Sequence, residues 1–278
     1  MKIVCLFRLL LAFGFGIFLI PTSSHALDPS KSLFQYNCRN WSRENGLPVN
    51  SVRALAQDRA GYLWLGTQKG LLRFDGFDFT PIAMPNVPQW RGQTVISLAA
   101  GAEGGIWFGL DAAAFGYLDS ESHFELPPGG WANPQMGVHS ICETADGATW
   151  IASGNGIARW VRGQTNASLF DANIGVLQSL GADSQHRVWI GSVENGLFYW
   201  EAGKIHAFPD PTLAKQTIFA IEVDRQGRIW VGTQLGLHCY GPDFKPLETL
   251  PPLYNEVRAL LEDRQGALWI GTSGSGVI

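Results

Sequence analysis

The sequence predicts an all-β protein built from one structural unit that is repeated six times. A tryptophan followed by an aliphatic or aromatic residue, and then by glycine or alanine, recurs at intervals of 39 to 43 residues. The composition agrees, because the 278 residues include 33 glycines and 11 tryptophans but only 16% charged residues. Frequent glycine and aromatic residues favour short strands and tight turns over helices. The motif tryptophans are Trp64, Trp107, Trp150, Trp189, Trp230 and Trp269.

Each repeat contains the signals of one small antiparallel sheet. The apolar stretch "VRALAQD" predicts the first strand. In "DRAGYLWLGT", Asp58 and Gly61 predict a tight turn, and the second strand follows with Trp64 at its centre. Gly70 precedes a third strand, and a short fourth strand comes after the next turn. Similar signals occur in the other repeats.

A four-stranded unit of about 40 residues is typical of a blade of a β-propeller. A single blade cannot bury both of its faces, so blades pack radially against one another. We therefore expect a β-propeller over residues 34–278, with six repeats, an incomplete last blade and a ring that is open. The motif tryptophans are expected to fill the space between blades and to be structural rather than catalytic.

Residues 1–26 predict a secretory signal peptide. Two basic residues precede an apolar stretch at residues 9–20, and small side chains occupy Ser24 and Ala26 just before the expected cleavage site. The apolar stretch is short for a membrane span, which needs about 20 residues, and an uncleaved anchor is the alternative. The chain is therefore expected to be exported and to act in the periplasm.

Charge and cysteine spacing exclude several classes of function. The formal net charge is −4, so the chain lacks the basic surface that binds nucleic acid. After the signal peptide, Cys38, Cys142 and Cys239 lie about 100 residues apart, without the spacing of a zinc site. We expect small buried thiols, with one disulfide as the alternative in an exported protein. No metal and no cofactor are predicted.

The loops between blades carry the candidate ligand-binding residues. In a propeller, the loops from the fourth to the first strand and from the second to the third strand share one face. The longest of them, residues 83–93 and 127–137, each contain a tryptophan outside the repeat pattern. Aromatic faces beside amide and guanidinium donors suit a carbohydrate or another small polar ligand. The candidates are Trp90, Arg91, Gln93, Trp131, Asn133 and Gln135.

Three further candidates lie at the start of first strands and are expected to point toward the central channel. They are Arg53, His139 and Arg258. Each of these assignments has a structural alternative: the loop tryptophans can pack their own loops down, and the charged residues can form ion pairs at the surface or between blades.

An enzyme is the main competing class of function. The chain contains no G-x-S-x-G, P-loop, H-E-x-x-H or dinucleotide motif. A lyase needs a general base close to a partner group, and His139 is the single candidate for that role. We therefore predict no catalytic residues. The alternatives to a binding domain are a secreted lyase-like propeller and a non-catalytic scaffold for protein partners.

The stretch "WSRENGLPVNSVRALAQDRAGYLWLGTQKGLLRFDGFDF" at residues 41–79 resembles the opening of the two-component regulator propeller family. The repeat of that family reads as an apolar strand, D-x-x-G-x-[LI]-W-[IVL]-G-T, two residues, glycine with an aliphatic residue, and then an aromatic. Repeats one, five and six match this pattern closely. Repeat two departs from it, with Ala113 where glycine is expected. The resemblance covers about residues 36–278.

The resemblance implies the periplasmic sensor region of a membrane receptor. In such receptors, propeller blades, often fourteen in two rings, precede an immunoglobulin-like domain and a membrane helix. A histidine kinase, a hybrid kinase or a diguanylate cyclase follows on the cytoplasmic side. We therefore expect an N-terminal part of a larger sensor that reaches the membrane through its later part and forms a homodimer at full length. In a closed ring, residues 34–42 would supply the outer strand of the last blade.

Overall fold

The computed structural model describes residues 39–44, 46–83, 93–112, 114–125, 137–154, 156–164, 167–171, 173–247 and 255–278. All of them belong to one unit, Cys38–Ile278. Within these ranges, 22 strands form six antiparallel sheets and there is no helix. The prediction of an all-β propeller is therefore confirmed, with six blades arranged in a ring. The predicted signal peptide lies outside the described residues.

The first four blades contain four strands each, in the order in which the chain makes them. The first two blades comprise β1 (Val52–Gln57), β2 (Leu63–Thr67), β3 (Gly70–Phe74), β4 (Phe79–Pro81), β5 (Val95–Ala100), β6 (Ile106–Leu110), β7 (Phe115–Leu118) and β8 (Phe124–Glu125). The next two comprise β9 (Val138–Glu143), β10 (Ala148–Ser153), β11 (Gly156–Val161), β12 (Ser168–Asp171), β13 (Leu177–Ala182), β14 (Val188–Ser192), β15 (Gly196–Glu201) and β16 (Lys204–Ala207).

The last two blades have three strands each among the described residues, where the sequence pattern predicted four in a complete repeat. They comprise β17 (Ile218–Val223), β18 (Ile229–Thr233), β19 (Gly236–Tyr240), β20 (Val257–Glu262), β21 (Leu268–Thr272) and β22 (Gly276–Val277). In the fifth blade, a single bridge from Tyr240 to Pro246 takes the place of a fourth strand. Of the expected outer-strand segment 34–42, the described residues 39–42 form no strand.

The predicted turn between the first and second strands is present. In the first blade, the N–H of Gly61 donates to the carbonyl of Asp58 at 3.1 Å, and the N–H of Tyr62 donates to Asp58 Oδ1 at 2.9 Å. Gly61 has a φ of 95°, which glycine adopts without steric cost. In the fourth blade His186 holds the corresponding position at a φ of 63°, so the turn geometry is kept there at the cost of backbone strain.

The aspartate of this turn also binds the motif tryptophan, a role that the sequence analysis missed. One carboxylate oxygen accepts hydrogen bonds from the turn, and the other accepts from the indole Nε1 of the tryptophan six residues later. The pairs are Asp58–Trp64 at 2.8 Å, Asp183–Trp189 at 3.2 Å, Asp224–Trp230 at 2.8 Å and Asp263–Trp269 at 2.9 Å. The buried indole is therefore satisfied, and the turn is fastened to the strand that follows it.

In the second blade a carboxylate from the third blade takes over this role. Gly101 stands where the aspartate would be. Trp107 instead donates from Nε1 to Glu143 Oε2 at 3.2 Å, and the same oxygen accepts the N–H of Ala102 at 2.9 Å. In the first, fourth, fifth and sixth blades, the hydrogen bond of the tryptophan N–H lies within the blade. In the second blade it joins two blades.

Four of the motif tryptophans lie in apolar clusters that they share with residues of the next blade, namely Trp64, Trp107, Trp150 and Trp189. Trp64 and Leu71 of the first blade form one buried cluster with Val95, Ile106 and Phe108 of the second. Burying a tryptophan removes roughly 150–250 Å² of its surface from water. The first five motif tryptophans are at most 7% exposed, whereas Trp269 in the sixth blade is half-buried.

In five of the six blades a glycine stands two residues after the motif tryptophan, and we call it the seat glycine; Ala152 takes this place in the third blade. In the first, second, fourth and fifth blades this glycine leaves room for the next blade. A Cβ atom on Gly66 would lie 2.8 Å from Cγ1 of Val95, the first residue of β5. On Gly232 it would lie 2.7 Å from Cγ1 of Val257, the first residue of β20. Such distances are too short for real atoms, so a seat glycine allows the inner strand of the next blade to approach closely. The seat glycines are Gly66, Gly109, Gly191, Gly232 and Gly271.

Replacing Trp64 by alanine should lower the free energy of unfolding by about 3–5 kcal/mol. The change leaves a cavity between two blades and removes the indole N–H that donates to the Asp58 carboxylate. Urea titration measures the change. Phe77→Ala is the matched control, because Phe77 is 77% exposed and its loss should change little. Equal losses in the two variants would contradict a structural role for the motif tryptophan.

Candidate functional site

A cavity of about 260 Å³ lies on the loop face of the first blade. Its walls come from the segment that leads into β1 and from the connection between β2 and β3. These are the two kinds of connection that were expected to form the ligand face. The lining residues are Arg43, Pro48, Val49, Asn50, Ser51, Gln68 and Lys69. We call this the Arg43–Lys69 cavity.

The segment that forms one wall is anchored by apolar side chains. Leu47 and Val49 are each 7% exposed and pack on Leu65 and Leu72 of the first blade. Trp41 extends the same cluster, with its ring 5.3 Å from the ring of Phe74. The wall is therefore held by the hydrophobic face of the blade.

Hydrogen bonds fix the polar rim of the cavity. The N–H of Arg43 donates to Asn50 Oδ1 at 3.1 Å across the leading segment. On the opposite wall, Thr67 Oγ1 donates to the carbonyl of Gly70 at 2.8 Å and accepts the N–H of Lys69 at 3.1 Å. Both walls have a defined backbone, so the positions from which the two cationic side chains start are fixed.

The lining of the cavity is mixed: Pro48 and Val49 supply apolar surface, and the other residues are two cations, two side-chain amides and one hydroxyl, without a carboxylate. Guanidinium and ammonium groups attract anions, and amides and hydroxyls donate to or accept from polar ligands. This combination suits a small polar ligand with a negatively charged group. The sequence analysis missed Arg43 and Lys69, because they lie on two separate connections that only the fold brings together.

The structure distributes the three inner-strand candidates over different blades. Arg53 is exposed on β1, two residues beyond Ser51 of the cavity lining. His139 is half-buried on β9, and burial lowers the pKa of its imidazole.

Arg258 on β20 is held by neighbouring groups. Its Nη2 donates to Glu256 Oε2 at 2.7 Å, and its guanidinium lies 3.8 Å from the centre of the Phe219 ring in the fifth blade. Phe219 is the second residue of β17 and Arg258 is the second residue of β20, so this contact joins equivalent positions of two adjacent inner strands. It also corresponds to the alternative considered above, in which such residues bridge blades.

The loop candidates largely lie outside the described residues. This applies to Trp90, Arg91, Trp131, Asn133 and Gln135. Gln93 is described and is half-buried, next to Thr94, whose N–H donates to Asp111 Oδ1 at 3.1 Å. The assignment of all six residues to ligand binding stays a prediction.

Two of the cysteines are free thiols, of which Cys142 is half-buried and Cys239 is buried. Burial raises the pKa of Cys142 to about 12 and that of Cys239 to about 11, so both are protonated at neutral pH. Cys38 lies outside the described residues. Within the described ranges, no group of three or more His, Cys, Asp or Glu side chains is placed to hold a metal ion. The same ranges contain no helix long and apolar enough to cross a membrane.

Glu222 is a half-buried carboxyl at the contact between the fifth and sixth blades. Its Oε1 accepts the N–H of Glu262 at 3.2 Å, and Glu262 Oε2 in turn accepts the N–H of Arg225 at 3.0 Å. Burial, together with the charges of Glu262 and Asp224, raises the pKa of Glu222 to about 7, against the lowering effect of the Glu262 N–H. The ionisation of Glu222 near neutral pH therefore opposes the packing of these two blades.

Three segments of the chain match the family model described as two component regulator propeller. They are residues 46–69, 212–234 and 252–274. These segments contain the first two strands of blades one, five and six, the repeats that resembled the family most closely. The chain therefore contains three segments that match the two-component regulator propeller repeat, and the predicted resemblance is confirmed. No curated protein matches the chain.

Solved structures share the fold at low sequence identity. The extracellular domain of the putative hybrid two component system BT3049 from B. thetaiotaomicron has a TM-score of 0.69 and 20% identity, over 86% of this chain and 34% of that one. The extracellular domain of the putative one component system BT4673 from the same organism has a TM-score of 0.66 and 20% identity. The match covers 82% of this chain and 32% of that one. This chain thus spans about a third of the length of these two extracellular domains.

An enzyme has the same fold. A catalytically inactive variant of virginiamycin B lyase from Staphylococcus aureus, solved with quinupristin, has a TM-score of 0.67 and 16% identity, over 82% of this chain and 83% of that one. The propeller fold is thus common to extracellular domains of signalling systems and to a lyase. The fold alone therefore does not define the function, which depends on the residues of the site.

Replacing Glu222 by glutamine should remove a dependence of stability on pH. The usual pKa of 4.5 applies in the unfolded chain, and the folded value is about 7. Because folding raises the pKa of Glu222, the contribution of this group to stability is fully present below about pH 4.5. That contribution is lost as the pH rises to about 7. The loss is up to about 3 kcal/mol.

Urea titrations of both proteins at pH 5 and pH 8 measure this dependence. Glu121→Gln is the control, because the side chain of Glu121 is 80% exposed and far more hydrated. The assignment fails if the Glu222 variant loses as much stability between the two pH values as the parent protein.

Proposed function

We propose that this chain is the ligand-sensing, extracytoplasmic propeller domain of a bacterial two-component or related signal-transduction receptor. The observation that carries the proposal is the match of three segments to the two-component regulator propeller repeat. The fold is also similar to extracellular domains of two signalling systems, although that likeness alone speaks for the fold. No catalytic residue takes part in the proposed role.

The location and the size of the receptor are part of the same proposal. The basic, apolar and small-residue pattern of residues 1–26 supports export to the periplasm. The match covers 86% of this chain but only 34% of the extracellular domain of BT3049, and 82% against 32% for BT4673, which supports a larger receptor. A membrane helix and a cytoplasmic kinase or diguanylate cyclase would complete it, and a homodimer would transmit the signal. Fusion of alkaline phosphatase after the propeller tests export, because that enzyme is active only outside the cytoplasm.

The Arg43–Lys69 cavity is the proposed ligand site on the described part of the molecule. A small polar ligand with a carboxylate or sulfate group, such as an acidic sugar, would place its anion between the two cations. Its hydroxyl groups would reach Asn50, Ser51 and Gln68. The loop tryptophans Trp90 and Trp131 are proposed to add aromatic contacts to the ligand.

A lyase is the second candidate function, favoured by the fold that the chain shares with virginiamycin B lyase. A lyase needs a general base beside its substrate. His139 is the candidate, but it lies on β9 of the third blade, whereas the Arg43–Lys69 cavity belongs to the first. The separation of the base from the cavity makes sensing the better-supported function.

A thermal-shift screen with galacturonate and other acidic sugars should identify a ligand that raises the melting temperature. A ligand at 100 times its Kd stabilises by about 2.7 kcal/mol. Arg43→Gln and Lys69→Gln should each abolish the shift and leave the melting temperature of the free protein unchanged. Lys215→Gln is the matched control, because Lys215 is an exposed lysine on the connection between the fourth and fifth blades. A shift that survives both cavity variants would exclude the cavity, and turnover of the ligand would favour the lyase.

Trp90→Ala should weaken binding of such a ligand while leaving the melting temperature of the free protein unchanged, because Trp90 stands outside the repeat pattern. Trp131→Ala should behave in the same way. Isothermal titration of each variant measures the affinity, and Trp64→Ala gives the opposite reference, a loss of stability. If Trp90→Ala destabilises the protein as much as Trp64→Ala, the loop tryptophan has a structural role.

A further inference from the structure

The segment that leads into β1 is held on the first blade by apolar side chains. We call its described residues, 39–44 and 46–51, the entry strap. Leu47 and Val49 are buried against the blade, and the N–H of Leu47 donates to the carbonyl of Ser42 at 2.9 Å within the strap. A segment attached by so few buried side chains opens locally at a smaller cost than a strand in the middle of a sheet.

Two like charges lie on opposite walls of the Arg43–Lys69 cavity. Arg43 belongs to the entry strap and Lys69 to the connection between β2 and β3. Glu44 follows Arg43 in the strap, but it is exposed and does not line the cavity. Like charges that share a cavity of about 260 Å³ repel each other, and salt weakens the repulsion. Because this repulsion acts between the strap and the blade, it opposes the apolar contacts of Leu47 and Val49.

We propose that an anion in this cavity closes the entry strap onto the first blade. A carboxylate, sulfate or phosphate group between the guanidinium and the ammonium group replaces their mutual repulsion with two attractions, one from each wall. Because the anion binds the closed strap better than the open one, it shifts the population toward the closed state. The inference rests on the ligand site proposed above and adds how binding changes the conformation of the chain.

A carboxylate placed in the chain itself tests the inference without any ligand. In Lys69→Glu the new side chain faces Arg43 as a bound anion would, so the entry strap should close. Hydrogen exchange detected by mass spectrometry should show amides of residues 46–51 exchanging roughly threefold more slowly than in the parent protein, as expected for one exposed ion pair. The amide of Leu47 reports on the strap directly, because its hydrogen bond to Ser42 lies within the strap. Lys69→Gln removes the repulsion without adding an attraction, so it should give a smaller decrease.

Lys204→Glu is the matched control for the change of charge. Lys204 is an exposed lysine on β16 of the fourth blade and does not line the cavity. The variant should therefore leave the exchange of residues 46–51 unchanged. Because Lys69 is also exposed, both substitutions are expected to preserve the fold, and the melting temperature of each variant checks this.

Sulfate tests the effect of a free anion. At equal ionic strength, sodium sulfate should slow the exchange of residues 46–51 in the parent protein more than sodium chloride does. Sulfate also stabilises folded proteins in general, because it is excluded from their surface. The specific effect is therefore the part that Arg43→Gln and Lys69→Gln each remove, and the exchange of β14 in the fourth blade is the internal reference for the general effect.

The outcomes separate closure of the strap from the identity of the ligand. Slower exchange in Lys69→Glu than in Lys69→Gln, together with a sulfate effect that Lys69→Gln removes, supports the inference. Equal exchange in these two variants overturns it, and so does a sulfate effect that is the same in the parent and in Lys69→Gln. An acidic sugar that binds in the cavity without slowing the exchange of the strap overturns closure but leaves the proposed function intact. A specific sulfate effect without a response to any acidic sugar supports closure and excludes these sugars as the ligand.

Discussion

The contact between a motif tryptophan and the inner strand of the next blade is the interaction on which the whole propeller depends. Each blade is a small sheet whose faces are apolar, and it has little core of its own. The tryptophan fills the space between two sheets, while the seat glycine lets the following strand come close. Stability is therefore distributed over the interfaces, and each blade relies on its neighbours.

The turn aspartate makes this contact reproducible. A tryptophan buried without a partner for its N–H would carry an unsatisfied donor, and the carboxylate provides the acceptor six residues away. Where Gly101 replaces the aspartate, Glu143 of the next blade supplies the acceptor. The N–H of Trp107 is thus satisfied by a carboxylate of the third blade instead of one from its own blade.

Repetition separates structure from function in this chain. Residues that recur in every blade serve the interfaces, so they cannot distinguish one ligand from another. In the proposed sensing role, specificity would come from positions that occur once, such as Arg43 and Lys69 of the cavity lining. They lie on connections, which change without disturbing the sheets, above a hydrophobic cluster that holds Leu47 and Val49 in place.

The sequence by itself determined the repeat, its strands and its turns, because these depend on local patterns such as strand alternation and the preference of glycine for turns. It identified Asp58 as a turn residue but not as the acceptor of Trp64, and it overlooked Arg43 and Lys69. Only the tertiary structure decided these points, and it alone showed that Val95 of the second blade packs against Gly66 of the first. The physical reason is that side-chain contacts between separate segments depend on how the sheets are placed in space, which a local pattern does not specify.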